Sequence, residues 1–347
     1  MGNFYIKNEK SNLINLSFMK KCTSAIMFVF SVVSLQAQVK DSLESKNKAT
    51  AKLITNQFPS TRFLDIQYEQ LSGTDYETKL HGKKYETGTV DSEKRLQVAM
   101  NAPIIKKDRW VLSTSLRYRY RDISFSNVEV LSGDEPLIGG ENSQHFHYFL
   151  ASVNYTRYDK LFGKTLVSNL SVFGDASNEK FGVANATYIA SLVLKKDKRT
   201  TLTTGLVVQT NPNSVFPILP AFSYSHQFKD SPWQIDIILP KQIYLRRALL
   251  AHGRLSVGTV FDGEPFYFST NISGNGDKVY NFNRNEIKSG VMYEYKIREN
   301  VITYFRTGWN YFLNGTIRER GEVNEISKTT FDSNFYFNLG FSYNLFK

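Results

Sequence analysis

The sequence predicts an all-β chain, folded as a transmembrane, antiparallel, up-and-down β-barrel of about 14 strands, with 12 as the alternative count. Three observations carry this expectation. From Thr61 onward, apolar and polar residues alternate with period two. Aromatic residues make up 14% of the 347 residues, with 20 Tyr and 26 Phe, a load that suits strands and membrane-interface belts. Beyond the first 40 residues no stretch is long and apolar enough for a membrane helix, so any span must be made of strands. The mean hydropathy of -0.34 fits, because only alternate strand residues of a membrane barrel touch lipid.

The first element is an export signal. In MKKCTSAIMFVFSVVSLQAQ, Met19 to Gln38, Lys20 and Lys21 form a basic start, Ala25 to Leu35 an apolar run, and Ala37 a small residue at the cut. Residues 1–37 are expected to be the signal peptide, with Met19 as the true start. The single cysteine, Cys22, precedes the apolar run, so the processed chain has no thiol for a disulfide, a metal or a nucleophile. Residues 38–60 are polar and aperiodic and read as a tail. Residues 61–347 form the barrel.

Within the barrel, Leu64, Ile66 and Tyr68 share a face opposite Asp65, Gln67 and Glu69. In WVLSTSLRYRY, Trp110, Leu112, Leu116, Tyr118 and Tyr120 oppose Arg117, Arg119 and Arg121. Further on, Val291, Tyr293 and Tyr295 oppose Glu294, Lys296 and Arg298, and Val301, Phe305, Trp309 and Tyr311 oppose Arg306 and Asn310. Strands are expected near 62–71, 93–103, 110–121, 145–157, 165–175, 183–195, 200–209, 217–227, 232–240, 242–249, 252–262, 285–297, 301–315 and 332–346. In 232–270, Pro240, Arg246-Arg247 and Gly263 leave strands open to merging or splitting. Short charged turns (106–109, 195–199, 229–232, 298–300) mostly alternate with long polar connections (72–92, 122–144, 271–284, 316–331), as in outer-membrane barrels. A soluble β-sandwich would alternate too, but would hide the apolar face in a core.

The last strand, FNLGFSYNLFK, ends the chain on apolar residues. Its Asn338, Gly340, Tyr343 and Leu345 resemble the C-terminal β-signal of outer-membrane barrel proteins, although Phe346 and Lys347 follow where many members stop on the aromatic. The run IILPKQIYLRR at 237–247 is similar to uncharacterised outer-membrane barrels classed only as a domain of unknown function. The resemblance implies a Gram-negative outer-membrane location and two partners, outer-membrane lipid and the barrel-insertion machinery that reads the last strand.

The formal net charge is +11. No zinc spacing, phosphate loop or basic helix accompanies it, so nucleic acid is not an expected partner, and the scattered Lys and Arg read as a solvated face. Removing residues 1–37, with four Lys and one Glu, leaves +8. The inward parity gathers Arg117, Arg119, Arg121, Lys296, Arg298, Arg306 and Arg254 with Asp65, Glu69 and Glu294. Such groups either pair to plug a lumen or line a water path that favours anions. His145 and His147 share the outward parity. His226 lies near Ser223 and Ser225, but both serines have the opposite parity, so no hydrolase site is expected. SGNGDK at 273–278 reads as a turn. No metal or cofactor is expected. The expectation is a passive, non-enzymatic channel for small solutes, narrowed by the loops at 72–92 and 122–144, or a structural membrane component. The alternatives are a barrel enzyme acting on lipid or peptide at the outer rim, and a docking or adhesion scaffold built on surface loops.

Overall fold

The computed structural model describes residues 61–131, 135–140, 143–179, 181–182, 184–210, 217–250, 252–270, 278–320, 322 and 324–345. The expected signal peptide, the polar tail and most of SGNGDK lie outside the described residues. Described residues contain strands and turns and no helix. The strands are β1 (Leu64–Leu71), β2 (Thr74–Leu80), β3 (Lys83–Lys106), β4 (Trp110–Val130), β5 (Gln144–Leu161), β6 (Lys164–Ser177), β7 (Asn185–Lys196) and β8 (Thr200–Gln209). They continue as β9 (Ile218–Gln227), β10 (Trp233–Leu239), β11 (Gln242–Leu249), β12 (Gly253–Thr270), β13 (Lys278–Arg298), β14 (Val301–Glu319), β15 (Ser327–Phe331) and β16 (Asn334–Tyr343).

All pairings are antiparallel and the sheet closes on itself. β3 through β14 pair in sequence order. The gap between β3 and β14 is closed twice, by β1 and β16 at one height and by β2 and β15 at the other. At either height the circuit has 14 strands, the expected number. The closure leaves no free edge in the base of the barrel. The two layers of the seam are stitched where the strands break. The Ser72 carbonyl accepts from Asn334 Nδ2 at 2.7 Å, and the Asp332 carbonyl accepts from Thr74 Oγ1 at 2.7 Å.

One rim carries the turns that follow β3, β5, β7, β9, β11 and β13. Two hairpins use two-residue turns with both residues at positive φ, Phe162-Gly163 on this rim and His81-Gly82 on the opposite one. This is the twist-matched geometry that favours Gly at the second position. The segment 232–270 resolves into β10, β11 and β12, with Pro240-Lys241 as the turn between the first two.

The wall is uneven. β3 has 24 residues and β4 and β13 have 21, whereas β10 has seven and β11 eight. Of the long polar connections expected at 72–92, 122–144, 271–284 and 316–331, the first is largely strand, and 122–130, 278–284, 316–319 and 327–331 of the others are strand as well. They read as loops because their outward residues are polar. Their inward residues, Tyr76, Val90, Ile123, Phe125, Phe282 and Ile317, build a core together with Phe266 of β12. Beyond Phe261, β12 pairs only with β13 and leans over the lumen onto β5, with the Phe266 ring centre 4.6 Å from that of Phe146 at a tilt of 45°. Leu137 and Ile138, from the β4–β5 loop, complete this core at the loop rim.

The outer face of the base is apolar. Val153 and Leu339 are each 51% exposed, and Leu206, Val257, Phe305 and Phe341 are exposed beside them. A band of large apolar side chains around a closed sheet has no water-compatible explanation in a monomer.

Candidate solute path through the barrel

The inward side chains fall into three levels. At the turn rim, Glu294 is clamped by Arg62 at 2.7 Å and by Arg254 at 2.6 Å. Asp65 accepts from Arg62 at 3.4 Å, from Tyr304 Oη at 3.0 Å and from the Ser342 hydroxyl. Asp236 pairs with Arg246 at 2.8 Å.

The middle level is a buried ion network. Arg95 reaches Glu93 at 2.6 Å, Glu286 at 2.8 Å and Glu69 at 3.2 Å. Lys288 binds Glu69 at 2.6 Å and Asp262 at 3.1 Å. Arg284 binds Glu93 and Glu286, both at 2.8 Å, and lies 4.7 Å from the ring centres of Phe312 and Phe331. Arg121 binds Glu93 at 3.3 Å and covers the Phe266 ring at 4.8 Å. The charges nearly cancel, as buried charges must. Arg95 on β3 and Glu286 on β13 meet across the intervening β1, β16 and β14, so the network fills that sector of the lumen.

Above it sits the aromatic core, closed by the β4–β5 loop. The Glu86 carboxylate accepts from the backbone N–H groups of Leu137, Ile138 at 3.2 Å and Gly139 at 2.8 Å, and from Tyr76 Oη at 2.6 Å. Four donors on one buried carboxylate hold the loop down.

The sector lined by β5 to β11 differs. Its inward residues are small and polar, such as Ser152, Asn154, Asn169, Ser171, Thr203 and Ser223, and are half-buried rather than sealed. They bond to one another, as in Thr203 with Ser223 at 2.7 Å. Beside this sector stand three cations, Arg117, Lys241 and Arg306. Among the described residues no carboxylate lies within ion-pair distance of any of them. Lys241 is within electrostatic reach of both arginines and of Asp262, Arg117 of Arg119 and Asp262, and Arg306 of Glu69. Arg306 contacts the Met292 sulfur at 3.5 Å, and Arg119 covers the Tyr148 ring at 5.9 Å.

The residues singled out in the sequence thus separate into distinct places. Asp65, Glu294 and Arg254 belong to the turn-rim level, and Glu69 and Arg121 to the buried network. Arg117, Arg119 and Arg306 face the polar sector. Lys296 lies near the turn rim, 3.1 Å from Glu299. Arg298, the last residue of β13, follows a register shift, pairs with Val301 and is exposed beside the β13–β14 turn. Glu93, Arg95, Arg284, Glu286 and Lys288 were missed, although EKR at 93–95 and RNEIK at 284–288 carry the same alternation. Lys241 was missed because it sits in a turn.

On the last strand, Asn338 and Gly340 face inward, and a Cβ at Gly340 would lie 2.0 Å from the Tyr304 ring. Three of the five histidines face tyrosine or threonine hydroxyls. His145 pairs with Tyr120 at 2.9 Å, His147 with Tyr118 at 3.0 Å and His226 with Thr200 at 2.9 Å. His145 also lies 3.5 Å from Asp122.

A family model described as Domain of unknown function (DUF6268) matches residues 167–344. Among solved structures, the chain is similar to the COG4313 outer membrane channel of Pseudomonas putida F1. The two are 10% identical over 82% of this chain and 96% of that one, with a TM-score of 0.36. It is also similar to the toluene transporter TodX of P. putida (9% identity, 86% and 94% coverage, TM-score 0.33) and to the outer membrane protease OmpT of Escherichia coli (7%, 83% and 99%, 0.28). No curated protein matches.

Proposed function

The chain belongs to the DUF6268 family, a domain of unknown function, and we propose that it is an outer-membrane channel passing small anionic solutes. The observation that carries this reading is the set of three lumen-facing cations, Arg117, Lys241 and Arg306, beside a polar wall, with no carboxylate in ion-pair range of them among the described residues. In a narrow, low-dielectric passage such a set lowers the barrier for an anion and raises it for a cation. The solute path follows the polar sector along β5 to β11, because the sector between β1, β3 and β13 is filled by the ion network. The apolar outer band meets lipid, and the strand ends carry the aromatic belts: Trp110 and Trp233 at the turn rim, Tyr118, Tyr120, Trp309 and Tyr311 towards the other side. The turn rim faces the periplasm, as short turns do in outer-membrane barrels. The β4–β5 loop held by Glu86 narrows the outer mouth.

The test is a planar-bilayer recording under a potassium chloride gradient. The expected result is a reversal potential on the chloride side, shifted towards zero by Arg117→Gln, Lys241→Gln and Arg306→Gln together. Cation preference would overturn the reading. A second reading, a closed structural barrel, is favoured by the buried ion network and aromatic core. It gains ground if neither the native barrel nor Glu86→Ala conducts.

A further inference from the structure

We propose that one arc of the turn rim is a docking surface for anionic phospholipid headgroups of the adjoining leaflet. Three consecutive turns build it: KKDR at 106–109, RYDKLFGK at 157–164 and KKDKR at 195–199. Together they hold ten Lys and Arg against three Asp, a net +7, while the whole chain from residue 38 onward carries +8. Residues 38–60 account for +2 of this, so the barrel from Thr61 onward carries +6, and the three turns beneath β3 to β8 hold all of that excess while the rest of the barrel is close to neutral.

A solvated face would mix its signs, and the opposite rim does so. There Lys79 and Lys84 both pair with Glu77, Lys278 with Glu319, and Arg318 and Lys328 with Glu325. On the arc, two of the three acids are already engaged. Asp159 takes Arg157 at 2.8 Å. Asp197 takes Lys195 at 3.3 Å, and also accepts the backbone N–H groups of Arg199 at 2.8 Å and Thr200 at 2.7 Å to shape its turn. Lys106, Lys107, Arg109, Lys160, Lys198 and Arg199 are left exposed, with no carboxylate in ion-pair range among the described residues.

Two apolar features choose the occupant. Trp110 stacks on Tyr155 at 5.8 Å on the lipid-facing surface, directly opposite Arg157 in register, so the cations begin at the interfacial belt. At the tip of the middle turn, Phe162 is 87% exposed between Lys160 and Lys164. Cations flanking an exposed aromatic suit an anionic membrane surface, where charge and apolar contact both contribute. A water-soluble polyanion would gain nothing from Phe162.

This inference rests on the membrane-embedded part of the proposed function and not on conduction. The barrel is reconstituted in nanodiscs of phosphatidylcholine with a minor share of phosphatidylglycerol, and the lipid retained around it is measured by native mass spectrometry. We expect phosphatidylglycerol to be enriched about fivefold over the bulk, the scale of about 1 kcal/mol that a single surface cation supplies. The enrichment should fall to the bulk ratio when Lys106, Lys107, Arg109, Lys195, Lys198 and Arg199 become Gln, and fall in part with Phe162→Ser. The smaller variant K160Q/K164Q guards against misfolding of the larger one, and each is checked by its heat-dependent gel shift. Equal enrichment in native and neutralised barrels, or none in the native one, overturns the proposal. So does cosedimentation with an anionic glycan polymer, lost in the same variants, without lipid enrichment. A silent bilayer recording leaves this result untouched, so the two readings fail separately.

Discussion

Tyr267 on β12 donates a 2.7 Å hydrogen bond to Asp175 Oδ2 on β6, and Tyr148 on β5 donates to the same oxygen at 3.0 Å. β12 has no strand neighbour on that side at this height, so these two hydroxyls and the Phe146–Phe266 contact close the upper compartment where backbone pairing does not. Tyr267→Phe removes one charge-assisted bond, expected to cost about 1.5–3 kcal/mol of stability. Urea unfolding of the detergent-refolded barrel measures this, and open-state noise in bilayer recordings should rise alongside.

The Glu86 carboxylate is the hinge of the outer loop. Glu86→Ala leaves the N–H groups of Leu137, Ile138 and Gly139 without their acceptor, so the loop should leave the core. Single-channel conductance is expected to rise several-fold, and a protease should cut within 131–143 where it spares the native chain.

Arg95 anchors the buried network through Glu69, Glu93 and Glu286. Arg95→Ala leaves Glu69, Glu93 and Glu286 with only Lys288, Arg284 and Arg121 among them, an excess of buried negative charge, and is expected to destabilise the barrel by about 3–5 kcal/mol. Replacing Arg95 and Glu286 together should recover part of that loss, as a double-mutant cycle in urea would read.

Gly340 gives the Tyr304 ring room over the last strand. Gly340→Ala places a methyl group into that ring and is expected to cost about 1–3 kcal/mol through overpacking. Tyr304→Ala should relieve the clash, restoring the refolding yield of the double variant relative to Gly340→Ala. A defect in cellular insertion that survives the relief would instead indicate recognition of the strand itself.

The barrel was legible because its signal is local. From Trp110 to Tyr120 each residue announces its face, and β4 pairs with β5 so that Leu116 meets Ala151 and Tyr118 meets Phe149. The expected strands correspond to most of those observed for that reason. The upper half was not legible. β2 and β15 are short and outwardly polar, so they resemble loops, and their inward Tyr76 and Phe331 make sense only beside Phe125, Phe282 and Phe312 from distant strands. The ion network hid for the same reason. Arg95 and Glu286 are 191 residues apart, and alternation tells which wall a charge leaves but not which partner it finds across the lumen. Lys241 shows the opposite failure, because period two carries no information in a turn.

The double seam between β3 and β14 places Leu64 opposite Tyr343, so the described chain begins and ends side by side on a single rim. An epitope inserted directly before Arg62 would emerge on that face, whereas one spliced into His81-Gly82 would be displayed on the other. Antibody labelling of intact versus permeabilised cells with that pair of reporters would read the polarity of the barrel directly.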